Sequence, residues 1–193
     1  MSDAASRGEL SMFTSPARAN LRARIGWICH GIRIAAVAWL GWIVVMTLIF
    51  WTNKAAVLEN YGRWFSADFS AVSDARYATA FAVVLMSVAT TVPVAICIWQ
   101  LAGTYLAGRV FTIDAAVWLR RTGISGVAAI ALSIVARCVV ASIIAGQPML
   151  IPPRGSFILP QDLLHLIFAL FVLALAHIFK AAAEMADDHA QIV

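Results

Sequence analysis

Arg137 is the residue whose chemistry most needs an account. The stretch from Arg120 to Gln147 is apolar except for two arginines at its head and Arg137 inside it. A charged side chain in hydrocarbon costs about 2.5–3.5 kcal/mol on insertion scales, so such a group is rarely left without a partner. Counting helical rise from the ends of the apolar runs puts Ser87 at a similar depth, with Thr90 slightly deeper and His165 nearer the surface. Pro93 removes one helical hydrogen bond and releases the carbonyl of Ala89 close by. Together these predict a polar cluster of Arg137, Ser87, Thr90 and His165, open toward the outer side. Its sharper reading is an anion or ligand site, or a coupling group. Its plainer reading is an arginine that snorkels or ties helices together.

A second constellation is histidine. His30 and His177 both fall close to the inner interface, and two neutral imidazoles on facing helices can hold a b-type haem, with Arg33 pairing a propionate. That reading makes the chain an electron-transfer subunit; the plainer one is a pair of interfacial histidines bonded to neighbours, with no cofactor. Cys29, Cys97 and Cys138 all sit in apolar runs and form no C-x-x-C, so they read as small apolar fillers, although Cys29 and Cys97 fall near one depth. Glu184, Asp187, Asp188 and His189 read as a solvated helix end rather than a metal site. The chain contains no Walker A, no G-x-G-x-x-G, no H-E-x-x-H and no G-x-S-x-G. No catalytic residue is indicated.

The elements that must position these groups follow from composition. Of 193 residues, 62% are hydrophobic and 12% charged. Soluble domains carry roughly 25% charged residues. A chain this poor in charge cannot cover a water-facing surface, so it reads as an integral membrane protein. Its apolar runs are continuous, which suits helices of about 20 residues rather than alternating barrel strands. The net charge of +4 comes from arginines beside these runs, the usual place for them in a membrane protein, and does not point to nucleic acid.

Four spans are predicted, at about 26–51, 77–101, 121–147 and 161–180, giving an all-α four-helix bundle. The transmembrane domain covers 26–182. Before it, 1–25 is a polar, partly disordered tail, its start uncleaved because the apolar run after it is too long for a signal peptide. After it, 183–193 is an acidic tail carried on a continuing helix. Trp27 and Trp51 bracket span one like interfacial belts, about 36 Å apart, and Arg33 snorkels back to the inner face. Pro93 predicts a kink in span two. Thr112 is a predicted N-cap, with Asp114 in the first turn that follows. Gly126, Ala129, Ser133 and Ala136 predict the packing face of span three. Residues 52–75 predict an amphipathic segment on the membrane surface, with a binding loop as the alternative. The proline-rich 147–160 predicts a loop that grazes the membrane or caps the bundle.

Arginine and lysine set the threading. Eight lie in the N-terminal tail, second loop and C-terminal tail, and four in the first and third loops, which places both termini in the cytoplasm.

Three segments carry a family resemblance: G-R-V-F-T (Gly108 to Thr112), L-R-R-T-G (Leu119 to Gly123), and I-F-K-A-A-A-E-M-A-D-D-H-A-Q-I-V (Ile178 to Val193). In these the chain resembles a bacterial family of four-helix inner-membrane proteins catalogued only as a domain of unknown function, over about two-thirds of its length. Ala182 stands where that family's ending would carry a glycine. The resemblance implies four spans and a cytoplasmic acidic C-terminus. It also implies the company of a small helix-turn-helix regulator, hence membrane signalling, and brings no catalytic residues. The expectation is an inner-membrane accessory or interaction subunit, a membrane partner of a cytoplasmic protein and without enzymatic activity. The alternatives are a haem-carrying electron-transfer subunit and a small-ligand sensor or transporter.

Overall fold

The computed structural model describes residues 16–65, 69, 72–108, 112–148 and 158–191. Its helices are α1 (Pro16–Thr52), α2 (Lys54–Phe65), α3 (Asp74–Ala89), α4 (Val92–Leu106), α5 (Ile113–Ala145) and α6 (Pro160–Gln191). The chain is an all-α polytopic membrane protein. Four helical stretches are long and apolar enough to cross a membrane: Gly26–Thr52, Asp74–Leu106 (α3 and α4 together), Ile113–Ala145 and Pro160–Met185.

The bundle is built up and down, each span packed on the next. The α1–α4 seam brings Gly26 opposite Leu106 and Arg33 opposite Gly103. The α5–α6 seam brings Gly123 opposite Leu173 and Arg137 opposite Asp162. Both registers are antiparallel. α3 and α4 pack on α5, and no comparable packing joins α6 back to α1 among the described residues. Three seams of the bundle are closed and the fourth is open.

Where span two was expected to kink, the helix breaks outright. Thr90 and Thr91 form a turn between α3 and α4, and Pro93 sits in the first turn of α4, where a missing N–H costs nothing. Their hydroxyls donate to the carbonyls of Ser87 (2.6 Å) and Val88 (2.7 Å), not to that of Ala89. Polar backbone at this depth is thus satisfied locally, as hydrocarbon demands. Thr112 caps α5, its hydroxyl accepting from the Ala115 N–H at 3.4 Å. Gly146 ends α5 at φ 71°, a left-handed conformation that favours glycine.

Residues 52–75 hold the helix α2, whose apolar side folds over one end of the bundle. Val57 is 0% exposed and packs with Leu58, Trp51, Val72, Val140 and Ile144, the main buried cluster of the protein. Trp51 is therefore core rather than an interfacial belt residue: 6% exposed, with Phe81 stacked on it at 5.6 Å. Tyr77 donates its hydroxyl to the Trp51 carbonyl. Lys54 fastens the start of α2 to the start of α3, donating to Val72 O at 3.0 Å and pairing Asp74 at 2.5 Å.

The expected N-terminal tail falls partly outside the described residues, and from Pro16 onward it is helix. The loop expectation for 147–160 lies mostly outside them too. The C-terminal extension is helical to Gln191, with Glu184 paired to Lys180 at 3.5 Å.

Candidate functional site

Arg137, half-buried on α5, is ion-paired with Asp162 on α6, whose side chain is 8% exposed. Asp162 lies in the first turn of α6, two residues past Pro160, and accepts a hydrogen bond from the Leu159 N–H at 2.7 Å. A side chain reaching back to the N–H that precedes its helix is one half of a capping box, and proline suits the first helical position. One carboxylate therefore does two jobs: it caps α6 and it neutralises the arginine within an apolar span. Arginine's forked donors suit it to such pairs.

Tyr61 of α2 packs above this pair beside Phe69, Cys138 and Ala141. Burial pushes its phenol up to about 12, with the Arg137 charge pulling the other way. A phenol raised in the folded state contributes stability that is complete below its unfolded value near 10 and lost as pH rises through 12. Unfolding followed between pH 9 and 12 is expected to show a stability loss in that window, which Tyr61→Phe diminishes. An unchanged pH profile in the variant would assign the loss elsewhere.

Of the four residues expected to cluster, His165 lies on α6 near the partner of Arg137, and Ser87 and Thr90 lie by the break between α3 and α4. His165 stands one helical turn below Asp162, and both line an interhelical cavity of about 340 Å³. Thr90 is bonded to the Ser87 carbonyl at the break between α3 and α4. At that break the cavity is lined by Thr91 rather than by Ser87 or Thr90. Asp162 is the residue the sequence reading left out of the cluster. The signal was present: a cation as deep in an apolar span as Arg137 needs an anion, and Asp162 is the acid nearest its depth.

The histidine constellation is not drawn together. His30 and His177 are both exposed, on α1 and α6, whose main packing is against α4 and α5 respectively. Arg33 reaches along the α1–α4 seam toward its Gly103 end; its Nε donates to the Trp99 carbonyl at 3.3 Å and its guanidinium lies 4.6 Å from the Trp99 ring centroid. The antiparallel register of α1 and α4 sets Cys29 near the Leu106 end of the seam, so the two cysteines differ in depth by about the rise of several residues. The 3.6-residue period fixes which face a residue takes, but depth also needs the offset between helices.

A sequence profile described as protein of unknown function (DUF2975) matches residues 63–193. The chain belongs to the DUF2975 family. The matched DUF2975 region opens late in α2 and takes in α3 through α6, so it contains Arg137, Asp162 and every cavity-lining residue except Trp39 of α1. No curated protein and no solved structure matches the chain.

Proposed function

We propose that this DUF2975 protein is a multi-pass inner-membrane protein that works by binding rather than by catalysis, as the membrane partner of a cytoplasmic protein. One observation carries the reading. At the end of the bundle opposite α2, two helices run on past their apolar spans: α1 from Pro16 to Gly26, and α6 from Met185 to Gln191. At 1.5 Å per residue these extensions project about 15 Å and about 9 Å. The first carries Arg18, Arg22 and Arg24 and the second Asp187 and Asp188. A pair of short helical posts of opposite charge, held at one end of a rigid bundle, is a surface that a soluble protein can grip and lipid cannot. The excess of arginine and lysine at the same end supports a cytoplasmic location.

Photo-crosslinking in cells tests this. A crosslinking residue at position 187 of the full chain is expected to give a discrete adduct with one soluble cytoplasmic protein, and the same residue at position 64 to give none. Lack of an adduct at 187, or periplasmic activity of a reporter fused after Val193, overturns the reading.

A further inference from the structure

The open seam between α1 and α6 is the part of the molecule that the docking of a cytoplasmic protein does not use. Trp39 of α1 and Phe168 of α6 face across it, 47% and 67% exposed. Behind them lies the 340 Å³ cavity, backed by Gly126, Ala129 and Ser133 of α5 and by Thr91 and Val94 at the broken helix. Along α5 its lining runs from Ser133 to Thr122, and along α6 from Asp162 to Val172, so it is a slot about 15 Å long that follows the helices. Its volume is at the lower end of that found for small-molecule pockets, and its sideways mouth opens where lipid stands.

The polar atoms on its wall have a common character. Thr91, Thr122 and Ser133 each spend their hydroxyl hydrogen on a carbonyl one turn earlier in the chain: Val88 at 2.7 Å, Trp118 at 2.9 Å and Ile130 at 2.8 Å. A hydroxyl has one donor and two lone pairs, so each oxygen offers the slot an acceptor only. Asp162 at the upper end is likewise an acceptor, and its charge is cancelled by Arg137. His165 adds a ring that in its neutral form both accepts and donates. A wall of acceptors with no net charge is complementary to an uncharged head that donates hydrogen bonds, and poorly matched to a carboxylate or phosphate.

We propose that this slot is a binding site for a single-chain membrane amphiphile with an uncharged hydroxyl-bearing head. The chain lies along Gly126 and Ala129, and the head sits at Ser133, Asp162 and His165. The ligand enters sideways between Trp39 and Phe168. The site requires that the four helices sit in lipid and is independent of any cytoplasmic partner.

The test uses the full chain in phosphatidylcholine nanodiscs with radiolabelled 1-monododecanoylglycerol as probe and dodecanoate as its anionic counterpart of equal chain length. Expected are one saturable equivalent of the glycerol ester per chain and at least tenfold weaker binding of dodecanoate. Ala129→Leu, which fills the slot, should abolish binding. Ser133→Ala, which adds no bulk and keeps the protein folded if Ala129→Leu does not, should weaken binding two- to tenfold, the range for one neutral hydrogen bond. Uptake equal to that of empty nanodiscs, equal binding of dodecanoate, or unchanged binding by both variants overturns the proposal. So does a disulfide between chains, rather than within one, when cysteines replace Trp39 and Phe168, since the seam would then belong to a second copy.

Discussion

Arg137→Leu is expected to destabilise the protein by about 3–5 kcal/mol, the range for removing one partner of a buried ion pair. The loss comes less from the missing attraction than from what remains. Asp162 would keep its carboxylate almost wholly enclosed, with the Leu159 N–H as its described hydrogen-bond donor, and would have to take up a proton or hold an uncompensated charge. Adding Asp162→Asn to the leucine variant tests that account. The asparagine carbonyl can still accept from Leu159, the buried charge is gone, and most of the lost stability should return. Unfolding by titration with sodium dodecyl sulfate in mixed micelles measures both. A single variant as stable as the wild type would make the pair inert. A double variant as unstable as the single would place the cost in lost packing.

The fold was legible in the sequence because its main determinants are local. A continuous apolar run with no room for a soluble surface gives a spanning helix whatever lies beside it, and Thr112 caps α5 with its own side chain. What could not be read depends on which distant element comes alongside. α2 has an amphipathic pattern, with Val57, Leu58 and Tyr61 set against Glu59 and Arg63. Nothing in that pattern says whether the apolar stripe meets lipid or the Val140–Ile144 face of α5. The candidate site shows the same division. Arg137 announced itself by being charged among apolar residues. Its partner is the acid nearest in depth, but pairing the two also needs the offset between α5 and α6, which the number of residues in the loop between them does not fix. The small residues of α5 were legible as a packing face in part: Gly126 meets α6, and with Ala129 and Ser133 it lines the cavity. Spacing gives the stripe, and only the crossing of the helices decides where along it the neighbour leaves.

Three glycines sharpen that point into a prediction. A Cβ on Gly123 would lie 2.5 Å from Leu173 Cγ and 3.2 Å from the Ala169 carbonyl oxygen, so the backbones of α5 and α6 touch there. A Cβ on Gly103 would meet the tip of the Arg33 guanidinium at 2.6 Å, the far end of a flexible side chain. A Cβ on Gly126 would stand 3.4 Å from the Ala169 methyl, within reach of a small adjustment. Gly123→Val is therefore expected to force α5 and α6 apart and to destabilise by about 3 kcal/mol, the upper part of the overpacking range. Gly126→Ala should stay within about 1 kcal/mol of wild type, because the helical preference of alanine over glycine offsets a mild crowding. Gly103→Ala should fall between them, with the loss of the Arg33–Trp99 contact as its main effect. The same titration ranks all three, and a ranking with Gly126 worst would mean that α5 and α6 cross at a different height. Because Arg137 and Asp162 sit about 20 Å farther along the same seam, Gly123→Val and Arg137→Leu should add to within about 0.5 kcal/mol, and a shortfall beyond that would mean that parting the helices at Gly123 reaches the ion pair.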